Sequence, residues 1–375
     1  MEAVNHFHPV RRCVLNHRRS KATSVLLITL MAGYCLCQFI TLQISGQTKS
    51  LCPGVSLRYE TALNKEQVDA SLTYTQSNQN SEGVYPTFWR EDELTLQASL
   101  SQRVEDDVLA MGFHGNASAV YGATYLSGTS PGSGSTNECS VSDALAWALW
   151  GSQDVIGQTL TFETTDKQSC TYVVCGIFSS NEEILLYSLS SENGFPYVEL
   201  TGISQDNPAQ SIRQFLTGAA LAEPSQILYD QALAWSATVL AYLPGMLIVL
   251  IFVLWILFGI SWKKQFRELL LFVTALTVVV LLPLWLSNLP GWLVPNQWGN
   301  AESWAELLSA GRDRLYEWVA LIPTARDSQI KILLFQEAIG LIGSLLFGLI
   351  ACLAWIITSP RQKREKVIET PEKQI

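Results

Sequence analysis

Four long apolar blocks decide what this chain folds into: Ala22–Ile44, Ala237–Ile260, Leu269–Leu289 and Ile339–Thr358. A helix needs about 20 mostly apolar residues to cross a bilayer. It crosses because it satisfies its own backbone hydrogen bonds away from water. Each block meets that length, so the sequence predicts a multi-pass membrane protein with the lipid bilayer as its first partner. The opening block is longer than the apolar core of a secretory signal and lacks a clear small-x-small cleavage site. It is expected to remain as an anchor.

Orientation follows from where lysine and arginine sit, because basic flanks stay on the cytoplasmic side. Arg11, Arg12, Arg18, Arg19 and Lys21 precede the first block. Lys263, Lys264 and Arg267 lie between the second and third, and Arg361, Lys363, Arg364, Lys366 and Lys373 follow the fourth. The expected plan is a cytoplasmic segment 1–21, a span 22–44, and an extracytoplasmic domain 45–235. A span 236–260, a short cytoplasmic link 261–268 and a span 269–289 follow. An outer loop 290–336, a span 337–358 and a cytoplasmic tail 359–375 complete it. Both termini are then inside. The fold class expected is an α+β extracytoplasmic domain inserted after the first of four transmembrane α-helices.

Residues 46–235 hold 7 Lys and Arg against 22 Asp and Glu. A surface so acidic repels nucleic acid, whose binding rests on phosphate neutralisation. Residues 46–93 are polar and read as a loosely built approach to the domain. Leu94, Leu96, Ala98 and Leu100 alternate with polar residues, the period of a half-buried strand. Ser127–Asn137 reads as a Gly/Ser-rich loop. Cys139–Val141 reads as a short strand. Ser142 then suits a helix N-cap, Asp143 the first turn, and Gly151 the stop after Trp150. Gly157 marks a turn, Gln158–Glu163 a strand, and Cys170–Phe178 another with Tyr172, Val174 and Gly176 on one face. Phe195–Leu200 reads as a strand and Pro208–Leu221 as a helix. Tyr229–Trp235 is expected to run on as helix into the second span. In the outer loop, Trp304, Leu307, Leu308, Leu315, Trp318 and Val319 share one helical face. That pattern suits a helix on the outer leaflet or one packed on the acidic domain.

The run CSVSDALAWALWGSQDVIGQTLTF, followed by YVVCGIF, resembles the end of a MacB-like periplasmic core domain, as found in FtsX-like permease subunits of ABC transport systems. Leu149, Trp150 and Gly151 match the helix-ending turn, Val155, Ile156 and Gly157 the loop, and Val173, Val174, Gly176 and Ile177 the last strand. Cys175 is inserted between Val174 and Gly176. About 40 residues carry the match, and the order anchor, outer domain, three spans extends it. The resemblance implies a bacterial cell-membrane permease that relies on a separate ABC ATPase, as a homodimer or with a paired permease. It departs from the family in the short 261–268 link, where the family presents a longer cytoplasmic element to its ATPase. Lys263, Lys264 and Arg267 are the candidates for that docking.

No GxxxxGK[ST] stretch is present, so nucleotide hydrolysis falls to a partner. His114 is the one histidine of the outer domain and sits in a turn-like context, with no Cys/His spacing suited to zinc. No cofactor is expected, and the chain does not read as an enzyme. Glu105, Asp106 and Asp107 read as a solvated turn, and Asn116-Ala117-Ser118 fits a glycosylation acceptor. Cys139, Cys170 and Cys175, with Cys52, lie in the outer region, where an oxidising space permits a disulfide. Their pairing stays open. The second and third blocks contain no Asp, Glu, Lys, Arg or His, which argues against an ion or proton path. Two readings follow: a permease-like subunit of an ABC transport or mechanotransmission system, or a membrane-anchored binding or scaffold protein without an ATPase.

Overall fold

A computed structural model describes residues 9–77, 83–134, 137–163, 169–191, 194–204, 207–259 and 299–358. In chain order these form α1 (Pro9–Leu51), β1 (Gly54–Leu63), α2 (Lys65–Ser77), β2 (Tyr85–Ala98), β3 (Val104–His114) and α3 (Ala117–Val120). Next come β4 (Tyr125–Gly128), β5 (Glu138–Ser142), α4 (Asp143–Trp150), β6 (Thr159–Glu163), β7 (Ser169–Phe178), β8 (Ile184–Ser188) and β9 (Phe195–Thr201). The chain ends with α5 (Pro208–Gly218), β10 (Gln226–Leu228), α6 (Asp230–Gly259), α7 (Ala301–Ala320) and α8 (Ala325–Thr358). The described residues divide into two units, 43–239 with 299–337, and 9–42 with 240–259 and 338–358.

In the first unit the strands close on themselves. β2 pairs with β3, β3 with β8, β8 with β5, β5 with β7, β7 with β6, and β6 returns to β2. Closure removes the unpaired edges that an open sheet presents. β2 is long enough to serve two neighbours: Leu96–Ala98 bond to β6, while Tyr85–Trp89 bond to β9. From β9 the sheet continues to β1 and then to β10.

Both faces of this sheet are covered, as the buried residues show. Phe88, Val108, Ala110, Leu185 and Tyr187 belong to one core with Ile212 and Phe215 of α5. Their neighbours Trp89, Met111, Phe113, Ile184 and Leu186 belong to a second. Strands buried on both sides lose the apolar-polar alternation that marks a one-sided strand. That explains why 46–93 read as loosely built when it holds β1, α2 and most of β2. It also explains why β8, whose five residues are all buried, gave no period-two signal.

The 139–178 stretch folds as its residues dictate. Ser142 Oγ accepts from Leu145 N–H at 3.1 Å and from Ile184 N–H at 3.0 Å. The first bond caps α4; the second ties its start to β8. Gly151 ends α4 with φ 69°, a left-handed conformation suited to glycine. Asn207 caps α5 in the same way, accepting from Gln210 N–H at 3.2 Å. Glu105–Asp107 are on β3 rather than in a turn, with Asp107 at φ 57° where the β2–β3 register shifts.

In the second unit, small residues allow close helix approach, a usual basis of packing in lipid. A Cβ on Gly343 would lie 3.2 Å from Cys37 Sγ, and one on Gly33 would lie 3.0 Å from the Phe347 ring. Gln38 donates to the Ala241 carbonyl at 2.6 Å. Val25, Ile28 and Phe39 of α1, Met246 and Val249 of α6, and Ile342 and Leu353 of α8 are exposed, as lipid-facing positions require. Among the described residues three helices are long and apolar enough to cross a membrane: Val25–Leu51, Asp230–Ile251 and Ala325–Ala354. The predicted span Leu269–Leu289 lies outside the described residues.

Candidate functional site

One face of the β1–β9–β2 sheet carries polar and aromatic side chains in register. Ser56 stands opposite Glu199, and Arg58 opposite Tyr197. Tyr197 in turn stands opposite Trp89. Buried polar groups need partners, since desolvating them unpaired costs free energy. The partners come from the start of α8 and the start of α6.

Arg326, in the first turn of α8, is 1% exposed. Its Nη1 lies 2.7 Å from Asp230 Oδ2, and its Nη2 lies 3.4 Å from Glu199 Oε2. Nη2 also donates to the Leu51 carbonyl at 2.9 Å, and Nε to the Ala119 carbonyl at 2.9 Å. Leu51 is the last residue of α1, so its carbonyl is one that the helix itself leaves unbonded. Asp230 opens α6, where a carboxylate complements the helix dipole. Glu199 is fixed from its other oxygen, which accepts from Ser56 Oγ at 2.7 Å and Trp89 Nε1 at 3.0 Å. One guanidinium therefore joins one end each of α1, α6 and α8 to β9 and α3.

A second arginine reinforces the first. Arg58 Nη2 donates to Asp327 Oδ1 at 2.8 Å, and its guanidinium stacks 4.7 Å from the Tyr197 ring and 5.5 Å from the Trp89 ring. Asp327 Oδ2 accepts from both the N–H and the hydroxyl of Thr324, while Thr324 Oγ1 accepts back from Asp327 N–H. That reciprocal pattern closes the start of α8 in the manner of a capping box. Beside it, Ala325 N–H donates to Glu91 Oε2 at 2.8 Å. Gln329 and the backbone of Gly122 exchange two more bonds, and Gln231 of α6 donates to the Pro53 carbonyl at 3.2 Å.

Two guanidiniums face four carboxylates here, Glu91, Glu199, Asp230 and Asp327. Burial pushes the Glu91 carboxyl above the usual carboxylate range, with the Ala325 N–H opposing and the Asp327 charge adding. Burial, with the Asp230 charge next, also pushes the neighbouring Cys52 thiol well up. A thiol held protonated is a poor nucleophile. Among the described residues no group of His, Cys, Asp or Glu is placed to hold a metal ion. What this arrangement does is hold helix ends in place.

The residues singled out by sequence lie elsewhere. Lys263, Lys264 and Arg267 fall outside the described residues. Cys139, Cys170 and Cys175 are free thiols in this structure. Cys170 and Cys175 share β7, and five residues of strand separate them by roughly 16 Å, beyond disulfide reach. Cys139 is fully buried and its thiol contacts the Val173 carbonyl, while Cys175 contacts that of Thr129. Burial pushes the Cys175 thiol to about 11. His114 Nδ1 lies 2.9 Å from the Leu189 carbonyl, a structural tie. Asn116 spends its side chain capping α3.

No family model matches the sequence, and no curated protein does. Two solved structures resemble it in fold. The periplasmic region of MacB from Actinobacillus actinomycetemcomitans aligns at TM-score 0.37 and 10% identity, covering 49% of this chain and 91% of that one. The extracellular domain of the noncanonic ABC-type transporter YknZ from Gram-positive bacteria aligns at TM-score 0.34 and 11% identity, covering 47% of this chain and 97% of that one.

Proposed function

We propose that this chain is a permease-like membrane subunit of an ABC transport or mechanotransmission system. It carries no motor of its own and relays motion between membrane helices and an outer β domain. The Arg326 cluster is the observation that carries this reading. A domain that only hung from the membrane would need one tether. Here three helix ends are tied to one sheet face by buried, directional bonds. Separating any of those ends from the sheet would leave a buried charge uncompensated, which couples their positions energetically. The resemblance of residues 139–178 to MacB-like core domains points the same way. In this reading an ATPase subunit docks on the cytoplasmic link at Lys263, Lys264 and Arg267, residues suited to an acidic surface.

The test is affinity purification of the tagged full chain from its native membrane in mild detergent. A nucleotide-binding subunit should co-purify, and Lys263→Ala/Lys264→Ala/Arg267→Ala should abolish its recovery. Purification with no such subunit would overturn the transport reading and leave a membrane-anchored binding or scaffold protein.

A further inference from the structure

α7 divides its residues into two opposed rows. Trp304, Leu308, Gly311, Leu315 and Val319 recur at helical spacing along one side. Glu302, Glu306, Asp313 and Glu317 keep the same spacing two positions earlier, which places them nearly opposite. Within that row Leu308 is 67%, Leu315 51% and Val319 57% exposed. An amphipathic helix with a bare apolar face needs an occupant for that face.

Its position names one. Trp318, in the last turn of α7, is buried beside Ile330 of α8. Lys331 of α8 sits 5.3 Å from the Trp318 ring and donates to the Val319 carbonyl at 3.3 Å. The end of α7 is thus pinned to the one turn of α8 after which large apolar side chains face outward, beginning with Ile332 and Phe335. Since α8 is apolar enough to cross a bilayer, that level is the membrane boundary.

We propose that α7 lies on the outer lipid surface. Its Leu308, Leu315 and Val319 side chains enter the acyl boundary and its acidic row faces water. The attraction is apolar burial rather than charge, so it takes zwitterionic lipid and resists salt. The assignment is independent of any ATPase.

The test uses the full chain reconstituted in phosphatidylcholine vesicles doped with a phosphatidylcholine that carries an acyl-chain diazirine. After irradiation, adducts are mapped by mass spectrometry. Adducts are expected within 301–320 as well as within α8, unchanged by added salt. In Leu308→Glu/Leu315→Glu the α7 adducts should fall about tenfold or more, as two buried leucines are lost. Labelling of α8 should stay level, showing that the variant is folded and inserted. Leu308→Ile/Leu315→Ile should keep the α7 adducts. Wild-type α7 left unlabelled while α8 is labelled would overturn the proposal. So would cross-linking of α7 to a second copy in place of lipid.

Discussion

Arg326 has five donors and keeps its charge at every physiological pH. In this fold those donors meet two carboxylates and two carbonyls from four different elements. Removing the guanidinium leaves Glu199 and Asp230 buried and under-compensated. Arg326→Ala is therefore expected to cost about 3–5 kcal/mol, read as a lowered urea midpoint of the full chain in mild detergent. Arg326→Lys should lose an intermediate amount, because one ammonium cannot reach all four partners. An unchanged midpoint in Arg326→Ala would mean that the cluster adds nothing to stability. Glu91 gives a second, pH-dependent reading at the same site. Its carboxyl is raised by burial, so the folded state binds this proton more tightly than the unfolded chain does. Ionising Glu91 thus lowers stability as pH rises from the usual carboxylate range through the folded value. Glu91→Gln keeps a carbonyl for Ala325 N–H and cannot ionise. The variant should gain on the wild type at neutral pH, and the gap should close on acidification. A gap that widens on acidification would reverse the assignment.

Elements differed in how far their own residues announced them. α4 was legible because Ser142, Asp143 and Gly151 mark its two ends by local chemistry. α7 was legible because its apolar row repeats over 20 residues. The start of the domain was not. β1 buries Ser56 and Arg58 among its apolar residues, and a buried arginine looks in sequence like a solvated one. The cluster was illegible for a further reason: Arg58 and Asp327 are 269 positions apart. Spacing rules describe one helix or one strand and do not reach across such distances. A signal did exist. Arg326 and Asp327 stand immediately before a long apolar run, on the side where positive charge is not expected to gather. Asp230 opens another such run. Charges at the outer mouths of several apolar helices suggest a shared partner, and here they are one another's.

Across the whole molecule, charge and hydropathy imply an orientation: a domain with 22 acidic and 7 basic residues outside, and basic flanks inside. The cluster adds a physical demand, since α1 must end and α6 and α8 must begin on the domain's side of the membrane. If α6 starts outside and crosses once, the chain is inside after Trp262. It must be outside again at the start of α7, so an odd number of crossings separates Trp262 from Asn300. The apolar block Leu269–Leu289 is the sequence's candidate for one. Alkaline phosphatase fused after Glu223 or after Asn300 should be active, because that enzyme matures only outside the cytoplasm. Fusions after Trp262 or after Ile375 should be inactive, and fluorescent protein at those two points should be bright. Activity after Trp262 would reverse the orientation of α6. Matching behaviour at Trp262 and Asn300 would remove the third crossing. It would also place α7 on the opposite side of the membrane from the start of α8, which the bond from Lys331 to Val319 does not permit.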